Sequence, residues 1–130
     1  MTTGYGDPEL LLAEWLGARL DAKTWADPEL PDNWNFTAPI GHVQRGQGYG
    51  DSRYNLDTAL IDIDWYAKRS DHARAMADQT RVELRLHLPG TFFGPILVTA
   101  VDTFAAPSWA PDPSVRRRTA AYLITFAGMA

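Results

Sequence analysis

Two acidic residues, Asp62 and Asp64, have the types and spacing most suggestive of chemistry. They alternate with Ile61, Ile63 and Trp65, a pattern that predicts a strand with one apolar and one polar face. Paired carboxylates can bind a metal ion or act as general acid and base. A metal site needs further ligands, and no histidine or acid lies at a supporting spacing. The sequence therefore favours a solvated outer strand face.

The other residues with catalytic potential form no recognisable motif. The three histidines, at positions 42, 72 and 87, are scattered and lack the spacing of a zinc site. The glycines at positions 46, 48 and 50 have neither Rossmann nor P-loop spacing. The sequence has no cysteine, which excludes disulfides and thiolate ligands. We expect a protein that is not an enzyme, with no catalytic residue, cofactor or metal.

Arginine and aromatic residues in predicted loops indicate a binding surface instead. Residues 44–55 contain three Gly, two Arg and two Tyr but no aliphatic residue, which predicts an exposed loop. Trp109 lies in a Pro-rich segment, and such loop residues are typical protein–protein anchors. The candidate interface residues are Arg45, Tyr49, Arg53, Tyr54, Trp109, Arg116, Arg117 and Arg118.

The run Arg116–Arg118 has two interpretations that the sequence leaves open. Alternate side chains of a strand point to opposite faces, so the three arginines cannot share one surface. The run can contact a phosphate or an acidic partner. Equally, it can have a structural role only, as a solvated strand end or by balancing the charges of Asp62 and Asp64 on a neighbouring strand.

Length and composition limit the class of protein. The 130 residues suit one domain, residues 1–130, and 45% hydrophobic with 22% charged residues is ordinary globular usage. The net charge of −4 disfavours a protein that binds nucleic acid by charge alone. No signal-peptide pattern begins the sequence, and its longest apolar run, residues 120–130, is shorter than the roughly 20 residues of a membrane span. These features predict a soluble protein that does not enter a membrane.

The patterning predicts six regular elements. They are a helix over 8–20, strands over 34–40 and 60–66, a helix over 70–88, and strands over 95–103 and 115–126. Apolar and polar residues also alternate over 82–88, as in a strand, but the Ala-rich segment before them favours a helix. Residues 105–113 contain three Pro and are predicted to be a loop. The predicted fold is α+β, with two helices packed on one face of a four-stranded, mostly antiparallel sheet.

Three segments together resemble a known family. They are the helix start Asp7–Leu10, the strand Ala59–Ala67 with the Ala-rich helix that follows from Ser70, and the segment Val115–Phe126. Over the span from the first of these segments to the last, which covers most of the chain, the sequence resembles tail terminator proteins of long-tailed bacteriophages, of the actinobacteriophage type.

The resemblance implies a structural role in the virion. A tail terminator is an α+β subunit of a hexameric ring at the head-proximal end of the tail, made in the host cytoplasm. The ring caps the tail-tube protein, stops its polymerisation and provides the surface to which the head docks. No catalysis, cofactor or membrane is involved, and DNA contacts the ring only in transit through its lumen. Acidic faces repel phosphate, so Asp62 and Asp64 are predicted to face the lumen or a neighbouring subunit.

Two alternatives remain at this point. A head-completion or connector protein of the neck would share the same size and assembly logic. A small ligand-binding domain or enzyme, with its site around Asp62, Asp64 and Tyr66, belongs to a different class. A bound metal or small ligand would favour that last alternative.

Overall fold

A computed structural model describes residues 8–26, 38–45, 56–110 and 116–127. Several predictions fall outside these ranges: the first part of the strand over 34–40, residues 46–55 of the Gly-rich loop with Tyr49, Arg53 and Tyr54, and the end of the Pro-rich segment. The Gly-rich loop was predicted to begin at residue 44, but Gln44 and Arg45 belong to a strand.

The described chain contains two helices and six strands. In chain order these are α1 (Pro8–Leu20), β1 (Lys23–Trp25), β2 (Ile40–Arg45), β3 (Leu56–Ala67), α2 (Ser70–Leu86), β4 (Phe92–Phe93), β5 (Ile96–Ala110) and β6 (Arg116–Ala127). The strands form one curled sheet in the order β1-β2-β3-β6-β5-β4. β1 pairs with β2 in parallel, and the other four pairs are antiparallel.

The prediction of a four-stranded, mostly antiparallel sheet was therefore wrong, although the α+β class was correct. The two additional strands, β1 and β4, are three and two residues long. Alternation over two or three residues is too short to be distinguished from a loop pattern. Ala38 and Pro39, predicted to be in a strand, precede β2 instead.

Both helices form where local signals place them. α1 has Pro8 at its first position and Glu9 in its first turn, and it buries Leu12 and Leu16. α2 buries residues at helical spacing, namely Ala73, Ala77, Thr80 and Leu84. A strand would place Val82 and Leu86 on the same face as the buried Leu84. Both side chains are exposed instead. The helix prediction for this ambiguous segment was correct, although α2 ends two residues earlier than predicted.

β5 continues well beyond its predicted end. Residues 105–110, predicted to be part of a loop, lie in this strand. The pairing of β5 with β6 is interrupted by three register shifts, and Pro107 lies within the last of them. A proline is tolerated in a strand at an edge or an irregularity because no ladder hydrogen bond needs its missing N–H. The Pro-rich composition therefore marks a distorted strand here rather than a loop.

Trp65 of β3 lies at the centre of the main core. Its side chain is 1% exposed and packs in one cluster with buried residues of α1, α2, β2, β5 and β6. The indole Nε1 donates a hydrogen bond to Thr80 Oγ1 on α2, at 2.8 Å. Gly41 lies directly opposite Trp65 on β2, and a Cβ atom there would approach the indole to 2.8 Å. The close contact between the ring and the β2 backbone therefore requires glycine.

Candidate interaction site

One end of the sheet collects cationic side chains. β3 ends there, β6 begins there, and α2 starts three residues after β3. The register places Trp65, Arg118 and Trp109 in one row across β3, β6 and β5. We call the following six residues the basic end: Lys68, Arg69, Arg74, Arg116, Arg117 and Arg118.

The basic end concentrates positive charge in an acidic protein. It contains six of the twelve Lys and Arg residues. Two of its arginines form ion pairs, Arg69 with Asp71 and Arg117 with Asp64. These six cations and two carboxylates together carry +4, so with a net charge of −4 the rest of the chain carries −8. Positive and negative charges are therefore distributed very unevenly over the molecule.

Asp64 is neutralised within the chain, on the side of the sheet opposite the helices. Arg117 donates to Asp64 Oδ2 from Nη2 at 2.7 Å and from Nε at 3.2 Å, and the Thr119 hydroxyl donates to Oδ1. The Asp64 side chain is only 8% exposed. The expectation of a solvated face was therefore wrong for Asp64. The alternative that the arginine run balances an acid on a neighbouring strand is correct for Arg117.

A second apolar cluster surrounds this ion pair. Ile40 and Tyr66 are buried together, with Trp25 packed against them. Trp25 stacks on His42 with ring centroids 4.3 Å apart. The Arg117 guanidinium lies 5.6 Å from the Tyr66 ring centroid. The sequence did not predict this cluster because Trp25 lies on β1. With only three residues, this strand is too short to show an alternating pattern.

Asp62 differs from its neighbour Asp64. Its side chain is partly exposed, and no ion pair holds it among the described residues. Burial is the largest cause that raises the pKa of the Asp62 carboxyl, and the nearby charge of Asp64 raises it further. The Arg117 charge opposes both effects. The Asp62 carboxyl therefore binds its proton more tightly in the folded protein than in the unfolded chain, so its pKa is raised.

Asp62→Asn is expected to stabilise the protein at neutral pH. A raised folded-state pKa means that the ionised carboxylate opposes folding above that pKa, whereas the protonated acid does not. The gain should disappear as the pH falls below the ordinary carboxyl value of 3.8. Urea unfolding between pH 3 and pH 7 would test this, with Asp102→Asn on exposed β5 as control. A gain that is constant with pH would contradict the expectation.

Trp109 forms an exposed cationic and aromatic patch. The indole is 42% exposed. The Arg118 guanidinium carbon lies 4.8 Å from the ring centroid, and that of Arg74 lies 6.0 Å from it. Neither arginine forms an ion pair within the described part of the chain, and Arg118 Nε is buried without an acceptor there. We call Arg74, Trp109 and Arg118 the Trp109 patch. Arg74 was not predicted, because only the docking of α2 brings it to Trp109.

A groove opens between the two helices. It has a volume of about 440 Å³ and is lined by Arg19, Leu20, Asp78, Gln79, Val82 and Glu83. Val82 is 52% exposed, and Arg19 Nη2 pairs with Glu83 Oε2 at 2.8 Å. Asp78 is exposed and has no ion-pair partner among the described residues. We call these six residues the interhelix groove.

The structure does not bring all predicted interface residues together. Arg45 lies opposite Ile61 in the middle of β3, five residues along that strand from Tyr66. Arg116 is exposed at the start of β6. Among the described residues, no group of three or more His, Asp or Glu is placed to hold a metal ion. Neither described helix has the length and apolarity of a membrane span.

Comparisons with known proteins assign no family. The chain matches no protein-family model and no curated protein sequence. The likeness to tail terminators therefore rests on the three sequence segments alone.

Proposed function

We propose that the protein is a structural component of a bacteriophage virion, the tail terminator. In this role it forms a hexameric ring at the head-proximal end of the tail tube, stops polymerisation of the tail-tube protein and provides the surface for head docking. The observation that carries the proposal is the Trp109 patch, an exposed indole with two arginines that have no ion-pair partner within the described chain. Aromatic and arginine side chains of this kind dominate binding energy at protein interfaces.

The positions of the resembling segments also support the proposal. The strand Ala59–Ala67 belongs to β3, and the helix after it is α2. The third segment forms β6, which pairs with β3 along the whole length of both strands. The second and third segments thus form one contiguous unit of β3, β6 and α2, whereas the first lies at the start of α1. That unit positions the Trp109 patch, since Arg118 belongs to β6 and Arg74 to α2.

The two alternative functions, a neck protein and a ligand-binding domain or enzyme, would use the residues of this protein differently. A head-completion or connector protein of the neck would use the Trp109 patch in the same way, against a different neighbour. A ligand-binding domain or enzyme would need both carboxylates of the Asp62 and Asp64 pair. Asp64 already binds Arg117 and Thr119, so only Asp62 offers an uncommitted carboxylate to a ligand.

Interrupting the gene in the parent phage would test the proposal. A stop codon near the start should yield overlong, headless tubes beside DNA-filled heads in electron micrographs. Expression of the intact protein in trans should restore tails of normal length. Normal-length tails with unjoined heads would reject the terminator in favour of the connector protein. Normal virions together with a metal or small ligand bound by the purified protein would favour the third alternative.

A further inference from the structure

We infer that the Trp109 patch of one copy binds the interhelix groove of a second copy of this chain. The inference rests on the proposed ring and specifies which surfaces join its subunits. The contact is heterologous, because the two patches are different parts of the molecule.

The Trp109 patch has properties that favour a protein partner. An indole that is 42% exposed offers a large apolar surface with little conformational entropy to lose. Arg74 and Arg118 add two positive charges without an ion-pair partner in the described chain. An occupant that covers the indole and supplies a carboxylate would satisfy both features.

The interhelix groove supplies the complementary features. Its volume of about 440 Å³ lies within the range of pockets that enclose small organic groups, so it has room for an indole. Leu20 and Val82 provide apolar contact, and the lining also carries the Asp78 carboxylate, which has no ion-pair partner within the described ranges. Glu83 is already balanced by Arg19, so Asp78 is the acid most available to an incoming arginine.

Trp109 does not line the groove of its own copy, although Arg74 and Asp78 lie one helical turn apart on α2. Trp109 lies on β5, whereas α1 packs on β1 and β2, and strands β6 and β3 separate these parts of the sheet. α2 lies between the patches, with Arg74 contacting Trp109 and Glu83 contacting α1. A contact between the indole and the groove would therefore join two copies. Repetition of such a contact gives a closed ring when the rotation closes.

The charge distribution favours a copy of this chain over other occupants. The charged residues that line the interhelix groove, Arg19, Asp78 and Glu83, sum to −1, which complements the two arginines of the Trp109 patch. The net charge of −4 disfavours a nucleic acid that is bound by charge alone. Strand addition at the outer edge of β5 is disfavoured by the register shifts and by Pro107. The attraction between copies should weaken as salt is added.

Complementation between two variants would test the inference. Trp109→Ala removes the first patch but leaves the groove, whereas Val82→Arg blocks the groove but leaves the first patch. In sedimentation velocity experiments, each variant alone should associate about tenfold or more weakly than the wild type, because each loses a central anchor. An equimolar mixture should form dimers, since one intact pair of patches remains.

Matched variants control for general effects on the surface. Phe104→Ala removes an exposed aromatic residue of β5, and Leu86→Arg changes an exposed apolar residue of α2 beyond the groove. Both should associate as the wild type does. Circular dichroism and urea unfolding would establish that every variant folds.

Several results would overturn the inference. They are a wild type that stays monomeric at all soluble concentrations, a Trp109→Ala variant that associates normally, and a mixture that fails to form dimers. Binding of a 20-base-pair duplex that requires Trp109 would reassign the patch to nucleic acid. The gene-interruption experiment separates the two proposals. Overlong tubes with a monomeric protein would reject only this interface, whereas normal tails with an associating protein would reject only the terminator.

Discussion

Trp65→Ala is expected to lower the free energy of unfolding by about 3–5 kcal/mol, the usual cost of truncating a buried tryptophan. The side chain is 1% exposed and belongs to the core cluster that includes buried residues of both helices and the central strands. The variant also loses the hydrogen bond from the indole to Thr80. Urea denaturation would measure the effect, with Trp109→Ala as the control at an exposed tryptophan. Equal losses at the two positions would contradict this view of the core.

Gly41→Ala should destabilise the protein by about 1–3 kcal/mol, because an added Cβ would overpack the contact with the Trp65 ring. In the Trp65→Ala background the ring is absent, so Gly41→Ala should cost much less. The double-mutant cycle therefore predicts a clear coupling energy between the two positions. Strict additivity would show that another neighbour of Gly41 limits the space.

Asp64→Ala is expected to cost about 1–3 kcal/mol, less than the 3–5 kcal/mol of a fully buried ion pair. Arg117 is 34% exposed, so water compensates part of its charge when the carboxylate is removed. Thr119 loses its acceptor in the same variant. Urea unfolding at low and high salt would measure the loss, which salt should change little because the pair is partly shielded.

The exposed pair between Arg69 and Asp71 provides the matched control. Its side chains are 67% and 61% exposed, so Asp71→Ala should destabilise the protein far less than Asp64→Ala does. A second test replaces Asp64 and Arg117 together with Leu and Met, which should recover much of the loss. An Asp64→Ala variant as stable as the wild type would show that the pair contributes nothing to the fold.

Local signals explain which parts of the fold could be predicted. The bounds of α1 were predicted correctly because the signals that define this helix, Pro8 and the regularly spaced leucines, lie within the helix itself. The face of β3 that carries Ile61, Ile63 and Trp65 was also predicted correctly, since alternation over many residues fixes it. In contrast, β5 was predicted too short because its register shifts interrupt the alternation near Pro107.

The candidate site depended on contacts that are distant in sequence. The burial of Asp64 follows from its register with Thr119, 55 residues later, and no local pattern encodes that pairing. Arg74 approaches Trp109 only after α2 docks on the sheet. The residue types of the arginine run indicated charge balance as one of two options, but only the register selects it for Arg117.

The position of β6 in the sheet has a consequence for biosynthesis. β6 follows the other five described strands in the sequence, yet it lies between β3 and β5 and joins them. Until its residues leave the ribosome, β3 and β5 each have an unpaired edge. Both strands also expose side chains that are buried in the folded protein. Pairing Leu56 with Ala127 also closes a long loop, which slows folding in proteins of high contact order. The nascent chain is therefore exposed to aggregation and to chaperone binding until synthesis of the domain is complete.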